Sequence, residues 1–381
     1  MKTTRAVAVA GTLALAATAL TAGPASAASA NGRHGGDHDD SSVFVQTDNT
    51  AGNTVVAYDR ATDGTLHEDG VYATGGLGGV LDGSVVDHLA SQGSLVYDRA
   101  HDLLYAVNAG SNTVTVFGVD GDHLRRLQVV RSGGTFPVSV AVHGNLVYVL
   151  NARDGGSVQG FLRIGHSLIR VPGWHRDLGL DPTLTPEFTH TPGQVAFSPD
   201  GSKLVVTTKA GGQSIDVFDV GWFGGLSADP VVNDEAGTVP FAVTFDSRGH
   251  LVATQAGTSA VATYRFGHDG ILQPISSALT GQAATCWIVR SGAHLYASNA
   301  GSASVSGYDE PGNGLLTSLG NTSTDAGTVD AAASSDGRYL YVQTGAAGIV
   351  DEFRIGHDGG LTAIGSVTVP GAVGGEGIAA S

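Results

Sequence analysis

Cysteine is almost absent: Cys286 is the single one in 381 residues. No intramolecular disulfide can form, which excludes a disulfide-stapled scaffold and any paired-cysteine metal site. Basic residues are also scarce, with 19 Lys and Arg against 35 Asp and Glu and a formal net charge of −16. Polyanions are disfavoured as partners, and without a basic run flanked by aromatics a nucleic-acid partner is not expected. Proline is sparse at 12 residues, whereas glycine is abundant at 57. The sequence between the glycines is strongly apolar, so this balance signals dense turns in a folded body rather than disorder.

Long apolar runs are missing too, except at the N-terminus. Lys2 and Arg5 precede an Ala-rich stretch through Leu20 that ends in Ala-Ser-Ala-Ala-Ser-Ala. This pattern predicts a secretory signal peptide over residues 1–29 and an extracellular protein. No later segment reaches the roughly 20 apolar residues of a membrane helix, so no membrane partner is expected. Losing Lys2 and Arg5 takes the net charge to about −18. Residues 30–41 read as a flexible leader. Its His34, Asp37, His38, Asp39 and Asp40 suit either a metal or a solvated tail.

What recurs is a hairpin: an apolar strand ending in a small polar residue, a Gly-containing turn, then a strand ending in an aromatic. "LLYAVNAGSNTVTVFGV", "LVVTTKAGGQSIDVFDV" and "LYASNAGSASVSGYDE" are three of seven copies. The polar residue closing the first strand falls at Thr47, Asn108, Asn151, Thr208, Gln255, Asn299 and Thr344. Most intervals lie near a period in the forties, the signature of a repeat architecture. Each copy extends by alternation and turn residues to four antiparallel strands, which predicts an all-β, seven-bladed β-propeller over residues 42–381. The body begins at a second strand, and the terminal "GEGIAAS" matches the first-strand pattern "GQVAFS". The C-terminal segment is therefore expected to close the ring as the innermost strand of blade one.

Two long intervals mark insertions, around "GLGGVLDGSVVDHLASQ" and "PGWHRDLGLDPTLTPEFTH", both on the face where the second strands end. Long loops beside a central funnel are common sites of binding. The inner strands open there with Ser94, Ser139, Gln194, Ala242, Thr285, Asp330 and Gly377. The closing polar residues, Asn108, Asn151, Thr208 and Asn299 among them, serve either a ligand or their own turns. Lys209 stands where most blades carry Ala or Gly, and is either a carboxylate holder or a solvated cation. His190 and Glu187, in the second insertion, are candidate proton carriers. Cys286 and Trp287 lie on an inner strand, where Trp287 either packs in the core or faces the funnel. His268 and His357, in two "GHDG" turns, read as turn chemistry. Gly-x-Ser-x-Gly, His-Glu-x-x-His and phosphate-loop motifs are absent.

The segments "TPGQVAFSPDGSKLVVTTK", "FPVSVAVHGNLVYVLNA", "VPFAVTFDSRGHLVATQAG" and "CWIVRSGAHLYASNAGSASVSGYD" together resemble the lactonase-type β-propeller family. That family includes a class of 6-phosphogluconolactonases and the 3-carboxy-cis,cis-muconate lactonizing enzymes. The resemblance spans the body from residue 42 and implies a seven-bladed propeller. It also implies a Pro-Arg-His element opening one inner strand and an Asn-Glu pair closing the next strand. Here those slots read Pro192-Gly193-Gln194 and Thr208-Lys209, so the family's acid/base groups do not carry over. The sequence looks most like a secreted bacterial branch of the family.

Two functions follow. As a lactonase or carboxymuconate cyclase-like enzyme, the protein would use Lys209 and Gln194 to hold a carboxylate or carbonyl, with His190 or Glu187 moving the proton. As a binding propeller, the same funnel would take a glycan, peptide or small acid without chemistry. A calcium-assisted route would draw on Asp48, Asp330, Glu376 and the Asn ring. The expectation is a monomer with a small-molecule or carbohydrate ligand, no cofactor and no resident metal.

Overall fold

A computed structural model of the chain describes residues 41–267 and 269–381. The predicted signal peptide, the leader through Asp40 with its His and Asp residues, and His268 lie outside them. Seven antiparallel sheets of four strands each make up the fold. In blade one the order is β28 (Ile378–Ala380), β1 (Ser42–Gln46), β2 (Thr54–Arg60), β3 (Leu66–Ala73). The other inner strands are β4 (Leu95–Asp98), β8 (Pro137–His143), β12 (Gln194–Phe197), β16 (Pro240–Phe245), β20 (Thr285–Ser291) and β24 (Thr328–Ala333). Among the described residues no helix is long and apolar enough to cross a membrane.

Burial explains the strand code. Second strands are covered on both faces by neighbouring blades, so they read as near-continuous apolar runs: all of β5 (Leu103–Asn108) is buried. Outer strands meet water, and β27 (Leu361–Thr368) has no buried residue. Packing between blades repeats a strut. Tyr148, Tyr296 and Tyr341, on second strands, donate their hydroxyls to Gly224 O, Gly359 O and Gly64 O of the next blade, at 2.7, 2.9 and 2.8 Å. Each buried phenol finds a turn carbonyl, worth about 1 kcal/mol net. Gly64 sits at φ +96°, and an added Cβ would lie 2.1 Å from the Tyr339 ring, so only glycine fits beside that strut.

The ring closes as the sequence predicts. β28 pairs with β1 through Val43↔Ala380, Phe44↔Ala379 and Val45↔Ile378. Gln46 N donates to Gly377 O at 2.8 Å, and Ser381 N donates to Ser42 O at 2.9 Å. The first and last strands are thereby one sheet, with no exposed inner edge.

Candidate functional site

At the end of β13 (Lys203–Thr207) the chain turns through Thr208 into a single helical turn, α2 (Lys209–Gly212). Lys209 adopts a left-handed φ of 48°, a conformation costly for a residue with a Cβ. Its ammonium is 1% exposed and donates to Ala90 O at 2.7 Å, Phe188 O at 2.6 Å and Thr191 Oγ1 at 3.0 Å. The ring of Phe241 lies 5.5 Å away. Burial pushes its pKa down to about 7, against the pull of Asp87. All three N–H bonds are used within the protein. Lys209 thus fastens the two insertions to the propeller, since Ala90 belongs to the first, Phe188 to the second, and Thr191 directly follows the second.

The first insertion does not stand beside the funnel; it lies across it. His88 N donates to Gly374 O at 2.8 Å, ahead of the blade-one inner strand. Ser91 Oγ lies 2.9 Å from both Val138 O in blade three and Glu376 Oε2. Trp287 Nε1, from blade six, donates to Ser91 O. The Gln92 amide pairs in both directions with the Ile288 backbone, and Gln92 N donates to Gly193 O of blade four. One segment therefore bonds to blades around the whole axis and closes this mouth as a plug. A backbone taken off the surface must find partners, and here the inner strands supply them.

The remaining sequence candidates fall into two groups. Glu187 and His190 form the short turn α1 (Glu187–His190) and line a cavity of about 150 Å³ with Arg153 and Thr191. Arg153 grips Glu187 through two bonds of 2.7 and 2.9 Å, and Asp82 N adds a third at 2.8 Å. This grip holds the Glu187 carboxyl below its usual range. His190 Nδ1 is 2.9 Å from Pro186 O, which makes Nδ1 the protonated nitrogen. Lys209 joins these two through Phe188 and Thr191. The polar ring is separate and serves its own turns. Asn108 donates to Thr113 and Thr115, Asn299 accepts from Thr285 at 2.6 Å, and Thr208 bonds Ser214. Both amide atoms of buried Asn151 lack a partner. Trp287 is buried and spends its N–H on the plug.

Beneath the plug an axial channel of about 400 Å³ runs between the inner strands. Gln92, Gly93, Gln194 and Asp330 form its blind end, and His143, Phe197 and Pro199 line it near the opposite, tight-turn face. Gln194 Oε1 accepts from Val243 N at 2.6 Å, which fixes the amide and leaves Nε2 uncommitted. Asp330 Oδ1 accepts from Ala331 N at 2.9 Å. Burial pushes the Asp330 carboxyl up to about 7, with the Asp87 carboxylate adding to the rise. A carboxyl poised near neutrality that lines the same channel as a free amide donor can accept a proton while the amide polarises a carbonyl. The signal for Asp330 was in the sequence: it is the only charged residue among the seven openers. Nothing local in the sequence marks Gln92 as the end of the channel.

Neither a protein-family model nor a curated protein sequence matches the chain. Solved structures do match. A candidate 6-phosphogluconolactonase from Bacteroides uniformis superposes with a TM-score of 0.71 at 20% identity, covering 90% of this chain and 99% of that one. The periplasmic gluconolactonase of Pseudomonas aeruginosa gives 0.70 at 19%, covering 89% and 98%. A protein from Lactobacillus plantarum gives 0.70 at 22%, covering 87% and 98%. At these identities the likeness shows the fold alone, and the chain is a seven-bladed β-propeller as these structures are.

Proposed function

We propose that the protein is an exported, monomeric lactonase-type propeller that opens a small lactone, of a sugar acid or a carboxymuconate-type compound, inside its axial channel. The observation that carries this reading is the blind-ended channel with one carboxyl, Asp330, and one uncommitted amide, Gln194 Nε2, at its closed end. Water attacks the lactone carbonyl as Asp330 takes its proton. Gln194 Nε2 donates to the developing oxyanion, the ring C–O bond breaks, and the proton passes to the leaving alkoxide to give the hydroxy acid. The lactonase-type neighbours support the reaction class, and the charged N-terminus followed by an apolar run supports export.

The second reading, a propeller that binds a small acid or glycan without chemistry, has its own support. Lys209, in the slot where the resembled family carries Glu, is consumed in holding the plug. A pH-stat assay of the purified protein on a panel of sugar and aromatic lactones separates the two. Turnover of at least one lactone is expected, with kcat rising with pH through about 7, because the base works only when deprotonated. Asp330→Asn should lower kcat by about 100-fold or more, the usual contribution of a general base. Absence of turnover on every lactone establishes the binding reading instead.

A further inference from the structure

The mouth of blade one holds a group of buried oxygens with too few protons. Asp48 is fully buried, with Gln46 Nε2 donating to its Oδ1 at 2.5 Å and Glu376 N to its Oδ2 at 2.8 Å. Gln343 Nε2, from blade seven, donates to Gln46 O at 3.3 Å. These bonds link four residues, all at 0% exposure, partly through the backbone of Gln46 and Glu376, around the start of the ring-closing strand. Every amide donor recorded for Gln46 and Gln343 is spent within the group. Three acceptors are then left with no partner: Gln46 Oε1, Gln343 Oε1 and Glu376 Oε1. Turning the Gln46 amide over would set an oxygen against the Asp48 carboxylate, so an exchange of amide atoms does not remove the excess. An orphaned buried acceptor is expensive, and three in one hydrogen-bonded group call for a shared partner.

We propose that Asp48, Glu376, Gln46 and Gln343 form a binding site for a hard divalent cation, calcium by its chemistry, that locks the ring closure. The donor set is oxygen only, two carboxylates and two amide carbonyls, and carries no His or Cys that would select zinc or copper. Calcium accepts such mixed carboxylate and amide ligation in irregular geometry, whereas magnesium demands near-ideal octahedra and sheds its waters reluctantly. Ionised acids at this depth need a positive partner, and Lys209, the nearby cation, is already spoken for. The test of this site does not depend on lactone turnover.

The test uses the full chain after chelator treatment. Calcium chloride alone, titrated calorimetrically, should bind at one site, and it should raise the thermal midpoint by about 3 °C or more while magnesium at equal concentration does less. Glu376→Gln and Gln46→Leu should each abolish the calcium-dependent shift. Asp122→Asn is the control, because Asp69, Asp122 and His123 form a separate exposed cluster able to take a metal; that variant should keep the shift. Failure of the wild type to bind calcium at millimolar concentration overturns the proposal, whether or not the variants fold. So does a shift that persists in Glu376→Gln or vanishes in Asp122→Asn.

Discussion

A lysine ammonium stripped of water survives in a protein only if its protons are received, and Lys209 has three acceptors drawn from two loops. Its backbone strain at φ 48° is offset by those bonds, so the residue acts as a fastener rather than a reagent. Replacing it with methionine keeps most of the volume and removes every donor. Ala90 O and Phe188 O would then be left without the donor that Lys209 supplies, a cost of about 3 kcal/mol. The strands do not depend on that donor, but the plug does. Lys209→Met should therefore speed amide hydrogen exchange across residues 82–91 while leaving the strand amides protected. Uniform loss of protection throughout the chain, or none in the plug, would contradict this role.

At the scale of elements the decisive one is the shortest. β28 has three residues, yet it carries the ladder to β1 and places Ile378, Ala379 and Ala380 in two different core clusters. Without it, β1 becomes an exposed inner edge and the apolar contacts of blades one and seven open to water. A chain ending at Gly375 should lose roughly 5 kcal/mol or more, a large share of the stability of any single domain. Urea unfolding followed by circular dichroism measures it, and an unchanged midpoint would show that the ring does not need its tail. This closure was legible in the sequence because it is a matter of register: "GEGIAAS" repeats the inner-strand pattern that the first blade lacks. The seven hairpins and both insertions were legible for the same reason, since each blade repeats one local code. The plug was not. Residues 82–91 bond to partners that are hundreds of positions away, Ser91 to Glu376 and Trp287 to Ser91, and no periodicity in the chain announces such contacts. Glu187 was legible as a loop carboxylate but its grip by Arg153 was not, because the pair meets only after blades three and four have packed.

For the whole molecule, the plug decides which side of the disc a ligand can use. Blades three, four and six, together with the segment leading into β28, hydrogen-bond to it, so the elaborated face is sealed. The channel is left with the tight-turn face, where its lining residue Pro199 is exposed. Narrowing that end should therefore block binding, whereas enlarging the outer surface of the plug should not. Ala196 lines the channel and is half-buried, while Val85, on the plug, is 83% exposed. Ala196→Phe is expected to raise KM or the ligand's dissociation constant by about tenfold or more, because a filled channel must expel either the ring or the ligand. Val85→Trp is expected to leave both unchanged. The comparison is read by lactone kinetics if turnover is found, or by calorimetric titration of the corresponding hydroxy acid if it is not. If Val85→Trp proves the damaging substitution and Ala196→Phe the silent one, the ligand enters past the plug, and the plug must open to admit it.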